Sequence, residues 1–220
     1  MRGMSLARKV VVLMGGGGQP TVVTLKPAEA AAIDTYTNEA AATTNYATAA
    51  SFLVQATAGS RKLSLLKFDL AASIPAGSEI VSAKLRFYSN GNQTSNRTVN
   101  IHPILVANAA WTEAGATWNT LDGTNPWAGD TAGDGGTDAG CSVSGTDYAA
   151  TAIGQLFFPA NSGAGYKMET ALDKTAVQAW LDGANYGMVL VVVAGVLEMK
   201  SSTNTDGESH PELEVSYFPT

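Results

Sequence analysis

Two β-branched runs open the chain, Val10-Val11-Val12-Leu13 and Thr21 to Leu25, on either side of Gly15 to Gly18. Consecutive glycines have no side chains to pack and lose much entropy on ordering, so they mark a hinge. Residues 1–26 are therefore expected to form an extended arm, distinct from a domain over residues 27–220. Lys26-Pro27 closes the second run. The Ala/Thr-rich stretch from Ala28 to Ala50 follows, and it lacks apolar residues at helical spacing.

Strand signals strengthen beyond Ser60. Lys62 to Phe68 is a short apolar run, and Ser73-Ile74-Pro75-Ala76-Gly77 supplies a turn. Ile80 to Tyr88 alternates, with Leu85 and Phe87 on one face and Lys84, Arg86 and Tyr88 on the other. Asn90-Gly91 is a tight-hairpin signal, because both residues tolerate positive φ. The return strand is placed over Thr98 to Val106, with Val99 and Ile101 on one face and Asn100 and His102 on the other. The stretch from Trp111 to Gly165 reads as mostly irregular. One helix is predicted over Leu172 to Leu181, with Asp173 near its start, Val177, Trp180 and Leu181 on one face, and Gly183 at the C-terminal cap. Met188 to Val193 is apolar throughout, as in a strand buried on both faces. Leu213, Val215 and Tyr217 alternate with Glu212, Glu214 and Ser216 at the end. The pattern predicts an all-β antiparallel sandwich with one short helix and an N-terminal extended arm.

Charge and composition narrow the role. Thirteen basic and nineteen acidic residues, with a pI near 4.8, lack the basic face of a nucleic-acid binder. The five apolar residues Val10 to Met14 fall short of the roughly 7 to 15 in the core of an export signal, and no run approaches the ~18 of a membrane span. Cys141 is the single cysteine, without a nearby thiol or histidine for a zinc site, and reads as a reduced thiol.

Few residues offer catalytic chemistry. A nucleophile needs an oriented base, usually histidine, yet His102 and His210 both precede prolines in ordinary strand or turn settings. Glycoside cleavage needs two carboxylates roughly 5 to 9.5 Å apart across a sugar. Glu113 is the natural suspect, and it is read as a structural hydrogen-bonding residue. The four-glycine run lacks the Lys-Ser/Thr of a phosphate loop. No cofactor is expected. Calcium is the one ion the chain suits, because Asp130, Asp134 and Asp138 lie among glycines in the Gly129–Asp147 loop, and hard cations take several oxygen ligands on pliable backbone.

Several pieces occur in a characteristic order: Asp34-Thr35-Tyr36, Asn45-Tyr46, Leu65 to Leu70, Ile74-Pro75, Ser82 to Leu85 and Tyr88. Trp111-Thr112-Glu113, Thr117-Trp118-Asn119, Val177 to Trp180, Asn185-Tyr186-Gly187 and Pro211 to Val215 complete them. Together they resemble the DNRLRE-type carbohydrate-binding modules, found on microbial surface proteins, polysaccharide enzymes and phage structural proteins. The resemblance implies a jelly-roll-like β-sandwich and contact with carbohydrate, although the string that names the family is absent. Trp111, Trp118 and Trp180 fall in pieces that look like core packing. Trp127, at the edge of the long loop, is the aromatic with no obvious core to join, and it is a candidate sugar contact together with Tyr186 and Asn125.

The resulting expectation is a non-catalytic, oligomeric virion-surface or appendage protein, docked to other assembly proteins through Val10, Val11, Val12 and Leu13 of the arm. The alternative is an extracellular or cell-surface carbohydrate-binding module; a small polysaccharide-degrading enzyme ranks third. Glycans and assembly proteins are the expected partners, and nucleic acid and membrane are not.

Overall fold

The computed structural model describes residues 18–26, 33–206 and 209–220. In chain order the strands are β1 (Thr21–Leu25), β2 (Ile33–Asn38), β3 (Ser51–Gln55), β4 (Lys62–Lys67), β5 (Glu79–Tyr88) and β6 (Arg97–Pro103). After a long insertion come β7 (Gly154–Phe158), β8 (Lys167–Leu172), helix α1 (Lys174–Ala179), β9 (Met188–Val192), β10 (Val196–Lys200) and β11 (Glu212–Phe218). They form an antiparallel β-sandwich. One sheet has the order β1-β11-β5-β8, and the other β10-β3-β4-β9-β6-β7 with β2 paired to β4.

The period-two runs account for the central core. Leu85 and Phe87 of β5, Leu213 and Val215 of β11, Val99 and Ile101 of β6, and Leu156 and Phe158 of β7 are all at 0% exposure in one cluster between the sheets. The opposite face of the four-stranded sheet is solvated, and Arg86 there bonds Glu169 at 2.9 Å and Glu214 at 2.8 Å. α1 closes one end: the Asp173 side chain accepts from Thr175 N, and Val177, Trp180 and Leu181 join the core. A π turn over Trp180–Ala184 follows, with Gly183 at φ 109.

A second core lies on the outer face of the seven-stranded sheet. Leu63 and Leu65 of β4 and Val189 of β9 point away from the sandwich, yet are at most 5% exposed. The segment between β6 and β7 covers them, contributing Ile104, Trp111, Trp118, Trp127, Cys141 and Tyr148. This explains why β9 reads as a continuous apolar run and why β4 carries leucines on both faces, Leu65 in the second core and Leu66 in the central one.

The structure departs from the sequence expectation at several elements. Thr21–Leu25, assigned to the arm, pairs with β11 in register from Thr21↔Tyr217 to Leu25↔Leu213. Asn90-Gly91 does not make a tight hairpin, because β5 and β6 belong to different sheets and residues 89–96 carry the chain from one to the other. β6 ends at Pro103, and Val106 opens a 3-10 turn. β2 was invisible because its buried positions include Asp34, Thr35, Thr37 and Asn38. Side-chain bonds, such as Thr37 Oγ1 to Gly140 O at 2.9 Å, satisfy part of that polarity. Among the described residues no helix is long and apolar enough to cross a membrane.

Candidate functional site

The lid between β6 and β7 has almost no regular secondary structure, and buried polar anchors hold it in place. Asp147, at 0% exposure, accepts from Asn108 Nδ2 (2.9 Å), Gly129 N (2.8 Å) and Val143 N (2.8 Å). Each indole N–H finds a carbonyl: Trp111 donates to Tyr186 O at 2.7 Å, Trp118 to Gly136 O at 2.9 Å and Trp127 to Thr117 O at 2.9 Å. Arg61 caps the Trp118 ring, 4.8 Å from its centroid, while its guanidinium forks onto both carboxylate oxygens of Glu39. Cys141 is wholly buried, and burial pushes its thiol well above the usual range.

Trp127 is therefore a correction. It is 1% exposed and part of the second core. A sugar-stacking ring must offer a face, and this one is enclosed because the lid has its own apolar floor on β4 and β9. Tyr186 is half-buried at the margin of that core, its carbonyl taken by Trp111. Asn125 is exposed on a turn whose backbone N–H groups donate to Asp122 Oδ1, and Asn125 Nδ2 donates to Asp122 Oδ2 at 2.7 Å.

The three aspartates chosen as calcium ligands do converge. One carboxylate oxygen from each of Asp130, Asp134 and Asp138 lies within 4.8 Å of the others, the kind of oxygen cluster a hard cation uses. Asp130 is buried, and its oxygens accept from Asp134 N (3.2 Å) and Gly135 N (3.0 Å), so it also shapes the loop. Val10, Val11, Val12 and Leu13 lie outside the described residues.

A cleft of about 600 Å³ opens at the helical end of the sandwich, lined by Lys67, Asp69, Leu70, Glu113, Trp180 and Asn185 among others. Glu113 Oε1 accepts from Asp34 N at 3.2 Å, and Asn45 Nδ2 donates to Glu113 O at 2.7 Å. Glu113 thus bonds the lid to β2, the structural role read from the sequence. Burial, reinforced by the nearby Asp34 carboxylate, pushes its pKa up to about 7. Burial also raises Asp34, against the pull of Ser202. Asp34 is 2% exposed, with Oδ2 bonded to Ser202 N at 2.8 Å. Asp34 is thus enclosed, whereas Glu113 reaches the cleft, whose wall also carries Asp69.

A smaller groove of about 220 Å³ lies beside Gln93, Thr94, Arg97 and Glu198. Large aromatic side chains at the surface are Phe157 (54% exposed), Tyr166 (44%) and Phe218 (37%). None was singled out in the sequence. Phe157 could have been found from the alternation of Gln155 and Phe157 with Leu156 and Phe158, but Gly154–Phe158 sits inside a stretch that reads as irregular.

Residues 26–131 match the model of carbohydrate-binding module family 96. The matched stretch carries β2 to β6 and much of the lid, and in it the resemblance drawn from the sequence to carbohydrate-binding modules is shown. The later pieces of that resemblance, from Val177 onward, fall on α1, the turn before β9 and β11, outside the match. No curated protein matches the chain.

Proposed function

We propose that this chain, a β-sandwich whose residues 26–131 are of the carbohydrate-binding-module type, binds a polysaccharide without cleaving it. The family match carries the reading. The acid chemistry is compatible with it, because Glu113, the carboxyl with a raised pKa at the cleft, accepts from the Asp34 backbone N–H as a structural link between lid and β2. Affinity electrophoresis through gels containing soluble polysaccharides tests this. Retarded migration in at least one polymer, with no release of reducing ends, is the expected outcome; turnover, or unretarded migration in all of them, would overturn it.

A second reading places the module on a virion or cell-surface assembly, attached through residues N-terminal to β1. In its favour, the chain enters the sandwich along an edge strand of the four-stranded sheet, with Val22 at 41% exposure. Edge strands are where a partner's backbone can be added. Incorporation into the assembly should fail when residues 1–18 are deleted.

A further inference from the structure

All four tryptophans are spent on the two cores, so a sugar-binding surface has to be sought elsewhere. The lid covers only part of the outer face of the seven-stranded sheet. From its margin outward, where Val191 still packs against the second core, the registers Thr98↔Phe157 and Asn100↔Gln155 on β7 and β6 meet Asn100↔Val191 and Val99↔Val192 on β9. Strand alternation therefore sets six outward side chains in two rows, Phe157-Thr98-Val193 and Gln155-Asn100-Val191. Phe157 is 54% exposed and Val193 61%. Gln155 Nε2 donates to Asn100 Oδ1 at 2.9 Å, which orients the amide pair and leaves Gln155 Oε1 as an acceptor and Asn100 Nδ2 as a donor.

We propose that this platform is the polysaccharide-binding surface, and that it takes a neutral glycan whose C–H faces lie on Phe157 while its hydroxyls bond Asn100 and Gln155. The inference rests on the carbohydrate-binding reading above. Three observations choose the occupant. The outer face of the other sheet shows what an ordinary solvated face looks like here: Lys84, Arg86, Glu169 and Glu214 form ion pairs across it. The platform carries no charged side chain, and its apolar groups are exposed next to amides, an arrangement that marks a binding surface more than a solvated one. It is also open, with three strands spanning about 10 Å at the usual inter-strand spacing, which accommodates a chain of sugar rings. A chain of net charge −6 bearing an uncharged platform has no complementarity for an anionic polymer.

The test is affinity electrophoresis of the full chain in hydroxyethyl cellulose, xylan and galactomannan as neutral polymers and in polygalacturonate as an anionic one. Wild-type protein should be retarded by a neutral polymer. Phe157→Ala should weaken that retention roughly tenfold, the scale of a central aromatic contact. Phe157→Trp should keep or strengthen it, and Gln155→Ala should weaken it. Glu113→Gln should bind as wild type. Because Phe157 is exposed, thermal melts of its variants should match wild type, separating lost binding from lost folding. Retention unchanged in both Phe157→Ala and Gln155→Ala would overturn the platform while leaving the binding reading intact, as would loss in Glu113→Gln alone, which would move the site to the cleft. Retention only in polygalacturonate would overturn the neutral class. Silence of wild-type protein in every polymer would overturn the binding reading and the platform together.

Discussion

Glu113 shows how one buried carboxyl ties the lid to the sheet and makes stability depend on pH. Its folded pKa, about 7, lies above the ordinary carboxylate value because burial disfavours the charge. The folded state therefore holds a proton that the unfolded chain has released. This stabilising difference is complete below the unfolded value and is lost as pH rises through about 7. Glutamine cannot ionise, so Glu113→Gln should gain on wild type as pH increases. Thermal melts between about pH 5 and pH 8 would check this; parallel curves would show that Glu113 does not titrate as described. At the same scale, the exposure of Trp127 and Phe157 depends on neighbours that the local sequence does not show. Trp127 follows Asn125-Pro126 and looks like a loop residue, but its indole donates to Thr117 O inside a core. Phe157 lies in a stretch that reads as irregular, and the alternation of β7 turns it outward.

The lid is the element that local pattern could not reveal. Its order comes from a few convergent contacts, such as Asp147 with its three donors and Gly140 beneath the Trp118 ring. Gly140 adopts φ +73, and a Cβ there would lie 2.2 Å from Trp118 Cε3. Gly140→Ala combines an unfavourable left-handed backbone with a clash in a packed core, so a loss of roughly 1–3 kcal/mol is expected from urea unfolding. A red-shifted tryptophan emission should accompany it as Trp118 loses its enclosure. Asp173, by contrast, was legible before the fold was known. It precedes an apolar i, i+3, i+4 set and accepts from Thr175 N at 2.7 Å. Asp173→Ala should cost about 1 kcal/mol.

At the scale of the whole molecule, the boundary between arm and sandwich falls earlier than the glycine run and Lys26-Pro27 suggest. β1 lies on the edge of the four-stranded sheet and buries Val23 and Leu25 in the central core. Each buried aliphatic of this kind contributes about 1.5–3 kcal/mol. A chain lacking residues 1–26 should therefore melt well below one lacking residues 1–18, by differential scanning calorimetry. Equal melting temperatures would mean that β1 adds nothing to the sandwich. The charged outer face of one sheet and the lidded, partly neutral outer face of the other also give the molecule two unlike sides.

The strands that bury one face, β5, β6 and β11, were readable from alternation alone, β9 from its continuous apolar run and β4 from its short leucine-rich one, because burial acts directly on side-chain periodicity. The helix and its cap were local as well. β2, β7 and β10 were not readable: their polar or short sequences become strands only through partners distant in the chain, as in the pairing of Val196–Lys200 with Ser51–Gln55. The convergence of Asp130, Asp134 and Asp138 was foreseeable from spacing on a glycine-rich loop. Which aromatics are enclosed and which are offered was decided by tertiary structure alone, because it depends on how far a lid without secondary structure extends over a sheet. Sequence periodicity specifies the face a side chain takes, and only the packed molecule specifies what covers that face.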